Sequence, residues 1–266
     1  MAEAQGGAAP AAAAAPAAGD APKADPWTGL VGVGLVALSG NSETLTFTAN
    51  GQVDKKFGEW ALGARATGAY GQSRPTPEQD SQVVALRAGV SLRGDRNIAS
   101  FASIFAGGGA ETDHVKSVEV RGFGELGAGI KFLEVKRNVG QKDEWEREYI
   151  RADLAFRYSR ETRFQYYATP TVPTGGLPGV TLIAPRVAGV FRFALTPGIR
   201  FSEELEFLPN IAGDARFLFN SNTKLSARLT ESLALTASFL MNYDSAPAGG
   251  KKPLDTALAM GIEAAF

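Results

Sequence analysis

The side chains alternate between apolar and polar with a period of two, and this alternation constrains the fold more than any other feature. In residues 232–243, for example, one face of an extended strand carries Leu233, Leu235, Ala237, Phe239, Met241 and Tyr243. The pattern persists over stretches of ten or more residues. Strands of soluble proteins usually contain about five or six residues, whereas a strand that crosses a membrane needs about 9–11. The alternation therefore favours an all-β fold that spans a membrane.

We predict about twelve strands, an even number that is typical of bacterial single-chain outer-membrane barrels. They cover residues 27–39, 44–55, 59–71, 81–93, 98–108, 117–133, 146–159, 186–196, 199–208, 214–229, 232–243 and 255–266. Tight turns alternate with longer connections, except that 134–145 is long and 40–43 is short for its side of the barrel. Short periplasmic turns opposite longer external loops are expected of such barrels. Residues 27–266 are thus predicted to form one transmembrane, antiparallel, up-and-down β-barrel in the bacterial outer membrane, with both termini in the periplasm.

The amino-acid composition argues against several classes of partner and binding site. The chain carries 27 basic and 28 acidic side chains, so no nucleic-acid partner is expected. Cysteine is absent, which excludes disulfides and thiolate metal sites, and we expect neither a metal nor another cofactor. The charge-free run of residues 26–42 is too short and too rich in glycine for a membrane helix, which needs about 20 apolar residues.

The first 26 residues differ from the rest, because they consist almost entirely of Ala, Pro and Gly. A secretory signal needs a basic start and an unbroken apolar stretch, whereas here Pro10 and Pro16 interrupt the alanines and the first basic residue is Lys23. We interpret residues 1–26 as a disordered Ala/Pro-rich periplasmic tail.

Charged side chains fall mostly on the polar face of the predicted strands. Facing lipid near the midplane, each would cost about 2–4 kcal/mol, so we expect them to line the lumen. The predicted lumen-lining charges are Arg65, Arg87, Arg93, Glu119, Arg121, Glu125, Lys131, Arg151, Asp153, Arg157, Arg192, Arg200, Glu204, Glu206, Arg216, Lys224, Arg228 and Glu263. Glu203 is the exception, because it falls on the apolar face, near the periplasmic end.

Two functions follow from such a lumen. The arginines can line a narrow pore for passive diffusion of small anionic or zwitterionic solutes. Alternatively, Arg–Glu pairs can close the lumen, which makes the barrel a non-conducting structural or stress-related element. A barrel of about twelve strands lies between filled eight-stranded barrels and open porins, so size does not decide. We favour the pore. The connection 160–185, which contains Phe164, Tyr166 and Tyr167, is expected either to be a mobile loop or to fold into the mouth and bind a ligand.

Aromatic residues near strand ends are expected to form two girdles at the membrane interfaces. The girdle at the periplasmic side comprises Trp27, Trp60, Trp145, Tyr149 and Phe266, and the girdle at the outer side comprises Tyr70, Tyr158 and Tyr243. In the last strand, Gly261, Ala264 and Phe266 resemble the terminal signal that the barrel-assembly machinery reads. The expected partners are therefore this machinery and the outer-membrane lipids; the oligomeric state is left open.

Three stretches resemble a known family. They are Gly40-Asn-Ser-Glu-Thr44, Phe201-Ser-Glu-Glu-Leu-Glu-Phe-Leu-Pro209, and the region from Lys224 to Phe266 with Leu229-Thr-Glu-Ser-Leu233 and Tyr243-Asp-Ser-Ala-Pro-Ala-Gly-Gly-Lys-Lys252. The family is that of the salt-induced outer-membrane proteins, the YdiY-like group of unknown function. The resemblance implies an outer-membrane barrel and implies no catalytic residues.

Two further motifs suggest chemistry, but each has a simpler explanation. Gly122-Phe-Gly124-Glu-Leu-Gly127 matches a dinucleotide fingerprint, which requires a helix that begins within it. The alternation continues through this motif, so we expect small residues inside one strand. His114, the only histidine, lies near Asp113 and Ser117, as a lipid hydrolase would require. Because nothing in the spacing enforces that geometry, we expect a solvated loop histidine and no enzyme activity.

Overall fold

The computed structural model describes residues 27–38, 43–74, 80–138, 145–168, 172–213 and 215–266. Within these residues the regular secondary structure is twelve β-strands. They are β1 (Trp27–Leu38), β2 (Glu43–Phe57), β3 (Trp60–Arg74), β4 (Gln82–Asn97), β5 (Ala102–Asp113), β6 (Val118–Arg137), β7 (Trp145–Gln165), β8 (Gly175–Thr196), β9 (Ile199–Pro209), β10 (Phe217–Arg228), β11 (Leu233–Asp244) and β12 (Leu254–Ala265). The predicted tail, residues 1–26, lies outside the described residues.

Each strand pairs antiparallel with its neighbours in the chain, and β12 pairs with β1, so the sheet is a closed barrel. This confirms the predicted all-β, twelve-stranded, up-and-down fold. We call the end where β1 begins and β12 ends the terminus end, and the opposite end the loop end. The described part of the chain contains no helix with the length and apolar character to cross a bilayer.

Two glycines bring the first and last strands close together where the barrel closes. Gly34 of β1 is the register partner of Gly261 of β12. A Cβ atom on Gly261 would lie 2.2 Å from the carbonyl oxygen of Val33, so any larger residue would push the two strands apart. At the terminus end, the backbone of Phe266 exchanges two hydrogen bonds with Gly29, of 2.8 and 3.0 Å. The chain end thus completes the ring of paired backbone groups.

The barrel is apolar on the outside and charged on the inside. Large apolar side chains of the outer face are exposed, and Leu92, Leu126 and Leu258 retain 67%, 68% and 65% of their accessible surface. The inner face instead carries buried ionised side chains, among them Glu125, Asp153 and Glu161. An ordinary soluble protein has the reverse distribution, with apolar groups buried and charges exposed.

The connection predicted for residues 160–185 is wrong in its length. Strand β7 continues to Gln165 and β8 begins at Gly175, so only residues 166–174 connect them. Gly175, Gly176, Pro178 and Gly179 suggested a loop, but the ladder accommodates them through a register shift between Glu161 and Arg163. The first part of β8 also lies beyond its ladder with β9, which begins at Val187, and prolines are tolerated at such a free strand edge.

The connection predicted as long at residues 134–145 is also shorter than expected. Strand β6 extends to Arg137, which pairs with Trp145 at the start of β7. Strands β6, β7 and β8 contain 20, 21 and 22 residues and are the longest of the twelve described strands. They form a tall wall on one side of the lumen.

Candidate functional site

The register places the predicted lumen charges on the inner face of the barrel, with one exception. Arg65, Arg87, Arg93, Glu125, Lys131, Arg151, Asp153, Arg157, Arg192, Arg200, Glu204, Glu206, Lys224, Arg228 and Glu263 share the inward side of their strands, and Arg121 pairs with inward Glu111. Arg216 precedes β10 and is buried among inner-face carboxylates. Glu119 occupies a register shift between Val118 and Val120, where the alternation is interrupted, and its side chain is exposed.

The first cluster, the lower quartet, consists of Arg93, Asp95, Arg151 and Asp153. Each arginine bonds both aspartates: Arg93 Nε lies 2.7 Å from Asp95 Oδ2, and Arg93 Nη1 lies 2.5 Å from Asp153 Oδ2. Arg151 Nη2 and Nε lie 2.6 Å from Asp95 Oδ1 and 2.8 Å from Asp153 Oδ1. The side chains of β4 and β7 meet across β5 and β6. Gly129 of β6 leaves room for them, since its Cβ would lie 2.3 Å from Arg151 Nη2. Two positive and two negative charges neutralise one another here.

The central cluster consists of Arg157, Arg186, Glu125 and Glu206. Arg157 Nη2 lies 2.7 Å from Glu125 Oε2 and 3.0 Å from Glu206 Oε1. The guanidinium of Arg186 donates to Glu206 and lies 3.7 Å from Glu125. Arg157 also packs over the ring of Phe123, with 4.4 Å between its Cζ and the ring centroid. These contacts hold the side chains of β6 to β9 against one wall.

The upper cluster is built around Glu161, whose side chain is fully buried. Glu161 Oε2 accepts from Arg121 Nη2 at 2.5 Å, and its other oxygen accepts from Arg163. Arg216 Nη2 lies 3.6 Å from Glu161 and 2.5 Å from Asp244 Oδ2. One buried carboxylate is therefore surrounded by three guanidinium groups. Their attraction offsets the unfavourable free energy of removing the carboxylate from water.

Sequence reasoning missed several members of these clusters. Asp95 lay past the predicted end of its strand, Glu161 and Arg163 fell within the predicted connection 160–185, and Arg186 was the first residue of the predicted strand 186–196. A signal was available, because the alternation of Arg157 continues through Glu161 and Arg163 at even spacing. The glycines and prolines that follow hid it.

A small cavity lies between the central and upper clusters, with a volume accessible to water of about 80 Å³. Its polar lining comes from Arg121, Arg157, Glu111, Glu206 and Asn220, and Phe123, Leu182 and Leu208 are among its apolar walls. On this side of the barrel, charge pairs and apolar side chains leave room for only a few water molecules.

The opposite side of the lumen is lined by small and neutral polar side chains. Asn50 of β2 and Thr67 of β3 point inward as register partners, and both side chains are exposed. On the same side of the ring, Ala257 of β12, two strands from β2, is inward and exposed as well. Exposure on the inner face means that water reaches these side chains through the lumen.

One ion pair crosses the lumen. Arg65 of β3 and Glu204 of β9 belong to strands on opposite sides of the ring, and Arg65 Nη1 lies 3.4 Å from Glu204 Oε2. At this level the lumen is no wider than the two extended side chains. Both groups remain partly exposed, 49% and 36%, so the pair does not exclude water.

Residues of two connections and of the strands β7 and β12 meet at the loop end. Lys116, between β5 and β6, forms an ion pair of 3.0 Å with Asp255 of β12 on the far side of the mouth. The ring of His114 stacks on Tyr166 with 3.9 Å between centroids. Ser117 Oγ is buried and bonds Gln165 Oε1 at 2.5 Å. The described contacts of the His114 and Ser117 side chains therefore do not join them as a catalytic pair would require.

The aromatic residues predicted for the girdles are placed mainly on the outer face. Trp27, Trp60, Phe266, Tyr70 and Tyr158 are between 46% and 71% exposed, and Tyr243 shares the outer face with Phe219. Tyr149 corrects the prediction, because it is the register partner of inward Arg192, whose guanidinium packs over its ring at 5.2 Å. The alternation of β7 indicated this orientation, because Tyr149 shares the odd positions of inward Arg151 and Asp153. The side chain of Trp145 lies outside the described residues.

Three other predicted features are located in strands or at the chain end. Gly122, Gly124 and Gly127 lie within β6, as expected, and no helix begins there. Gly261, Ala264 and Phe266 belong to β12 and the chain end, where the Phe266 ring covers Gly29. Glu203 faces outward, and its carboxylate accepts hydrogen bonds of 2.7 Å from Ser221 and 2.6 Å from Thr223. These hydroxyls compensate part of the cost of placing a carboxylate on the apolar face.

Comparisons with known proteins complete the description of the chain. A family model described as "Protein of unknown function, DUF481" matches residues 31–266. No curated protein sequence matches significantly. Among solved structures, the chain is similar to the NanC porin (9% identity, 88% of this chain and 98% of that chain, TM-score 0.46). It is also similar to the β-domain of the Bordetella autotransporter BrkA (10%, 91% and 98%, 0.43) and to the KdgM porin in complex with disordered oligogalacturonate (11%, 90% and 99%, 0.40).

Proposed function

The chain belongs to this family of proteins of unknown function, and we propose that it is a bacterial outer-membrane barrel for passive diffusion of small anionic or zwitterionic solutes. The observation that carries the channel is the exposed, uncharged inner face formed by small side chains such as those of Asn50, Thr67 and Ala257. Small polar side chains along a wet wall leave a path beside the ion-paired clusters.

Membrane placement is supported by the outer face. Leu92, Leu126 and Leu258 would expose a continuous apolar surface to water in a soluble protein, whereas acyl chains solvate it without cost. We propose that the terminus end faces the periplasm, because tight turns such as residues 58–59 and 197–198 lie there. The proposed partners are outer-membrane lipids and, through Gly261, Ala264 and Phe266, the barrel-assembly machinery. Residues 1–26 would then extend into the periplasm as a disordered tail.

The channel is tested by single-channel recording in planar bilayers. We expect discrete conductance steps and, in a salt gradient, a reversal potential on the anion side, because the inner-face residues Arg87, Arg200 and Arg228 form no ion pair within the described residues. Replacing Arg87, Arg200 and Arg228 by Gln should shift the reversal potential towards cations. Replacing Arg74 and Arg96, which form exposed ion pairs outside the lumen, should leave it unchanged. Absence of any conductance above leak would retire the channel.

A second candidate is a non-conducting structural or stress-related barrel, in line with the resemblance to salt-induced proteins. It is favoured by two ion pairs that cross the interior, Arg65–Glu204 and Lys116–Asp255. If they close the lumen, the double variant Arg65→Ala/Lys116→Ala should conduct where the natural protein does not. A closed natural protein and an open variant would support this candidate over the channel.

A lipid-modifying enzyme is the least supported function, because it rests on His114 alone. Any lipid hydrolysis by the purified protein should persist in the variant His114→Ala. Loss of activity in that variant would revive the enzyme hypothesis.

A further inference from the structure

Three arginines lie side by side on the inner face near the terminus end. Arg192, Arg200 and Arg228 belong to the adjacent strands β8, β9 and β10. Arg200 is the register partner of Ala194 and Ser226, so Arg192 and Arg228 are its diagonal neighbours on the same face. Diagonal neighbours in a sheet are about 7–8 Å apart, within reach of long side chains. We call these three residues the arginine triad.

The triad differs from the other arginine clusters because it has little negative charge to neutralise it. Arg192 lies 3.7 Å from Glu146 Oε1. Within the described residues, the guanidinium groups of Arg200 and Arg228 form no ion pair or hydrogen bond, whereas Arg157 contacts two glutamates. Arg200 lies within electrostatic range of the Glu146 carboxylate and of both other arginines, so three positive charges share one nearby carboxylate. Three like charges in one place repel one another unless an anion lies between them.

The groups that surround the triad are suited to bind an anion. Ser226 lies directly opposite Arg200, and Ser202 follows Arg200 on the same face of β9. Both hydroxyls are able to donate hydrogen bonds. Lys224, the nearest further cation, is already paired with Glu263 at 3.0 Å. The site therefore offers hydrogen-bond donors on three neighbouring strands.

We propose that the arginine triad is a binding site for a small oxyanion of the phosphate or carboxylate class at the terminus end of the lumen. Planar guanidinium groups match the paired oxygens of such anions and bind them with two parallel hydrogen bonds. Because the triad faces the lumen, its ligand is a solute and not a lipid headgroup. The role of the site, concentration of anionic solute at one mouth, rests on the proposed channel, but binding itself does not require conduction.

Equilibrium dialysis of the full chain in detergent micelles against radiolabelled inorganic phosphate tests this site directly. We expect saturable binding to the natural protein. The double variant Arg200→Gln/Arg228→Gln should bind at least tenfold more weakly, equivalent to about 1.4 kcal/mol. Arg200→Lys/Arg228→Lys should recover part of the affinity, because it restores the charge but not the planar guanidinium. Circular dichroism and thermal unfolding verify that each variant is folded.

The control removes the same charge from elsewhere. Arg74→Gln/Arg96→Gln should bind phosphate with an affinity within twofold of the natural protein. Equal loss in both double variants would mean that phosphate senses only net charge, and unchanged binding in Arg200→Gln/Arg228→Gln would place phosphate elsewhere; either result overturns the site. Saturable binding without conductance would sink the channel and leave the site standing. Conductance without saturable phosphate binding would overturn the site and leave the channel standing.

Discussion

At the scale of single residues, the upper cluster depends most on one side chain. Glu161 has a fully buried carboxylate that contacts Arg121, Arg163 and Arg216. A neutral side chain in its place would leave several guanidinium groups near one another without the carboxylate that balances them. Breaking a buried ion-paired network by removing one partner costs about 3–5 kcal/mol. The residue therefore holds β6, β7 and the connection before β10 together.

We predict that Glu161→Gln lowers the free energy of unfolding by about 3 kcal/mol, measured by urea titration of the protein in lipid vesicles. The control is Glu59→Gln. Glu59 is 67% exposed and pairs with Arg96 at 3.5 Å, and its loss should change the free energy of unfolding by less than about 0.5 kcal/mol. Equal effects of the two substitutions would show that the buried network does not stabilise the barrel.

At the scale of one element, the glycines of β6 are of two kinds, which differ in the face of the strand on which they lie. Gly127 faces inward, and a Cβ there would lie 2.5 Å from the carbonyl oxygen of Leu154 and 2.6 Å from the Phe105 ring. Gly124 faces outward, and nothing lies within 4 Å of its Cβ position. Packing therefore requires glycine on the inner face of this strand but not on its outer face. On the inner face it makes room for side chains of the neighbouring strands.

We predict that Gly127→Ala destabilises the barrel by about 1–3 kcal/mol, because the added carbon overpacks the wall. Gly124→Ala, on the same strand, should be neutral within about 0.5 kcal/mol. Urea titration in vesicles measures both. The argument from packing fails if Gly124→Ala costs as much as Gly127→Ala.

At the scale of elements, the lengths of the strands show where the sequence pattern failed to predict the structure. The alternation predicted the all-β class, the number of strands and nearly all the turns. It failed where the sequence was locally irregular, at residues 160–185, because glycine and proline usually indicate loops. Whether they interrupt a strand depends on the neighbouring strand, and β8 has a free edge there. The local sequence does not contain this information about the neighbouring strand.

At the scale of the whole molecule, the main property is the difference between the two faces of the barrel: the outer face is apolar and the inner face is charged. Trp27 and Trp60 are 60% and 46% exposed on the outside at the terminus end. Tyr149 lies at a similar level on the inside, against Arg192. Aromatic side chains at this end of the barrel are therefore divided between its two faces.

We predict that single-tryptophan proteins retaining Trp27 or Trp60 are quenched by nitroxide-labelled lipids in vesicles, most strongly when the label lies near the headgroups. A protein whose only tryptophan comes from Tyr149→Trp should resist the same lipids, because that side chain faces the lumen. Absence of quenching at Trp27 and Trp60, together with monodisperse behaviour in buffer without detergent, would contradict the membrane barrel.

The sequence by itself determined the closed β-class and the inward side of most charges, because a period of two is a local property that the backbone converts directly into two faces. Only the tertiary structure decided which charges neutralise one another. Arg65 meets Glu204 although 139 positions separate them, and Arg200 lies within range of two other arginines and of one carboxylate, that of Glu146. Such pairings depend on the register and curvature of the whole ring, which no local pattern encodes. The division of the lumen into an ion-paired wall and a wet wall is therefore a consequence of closure.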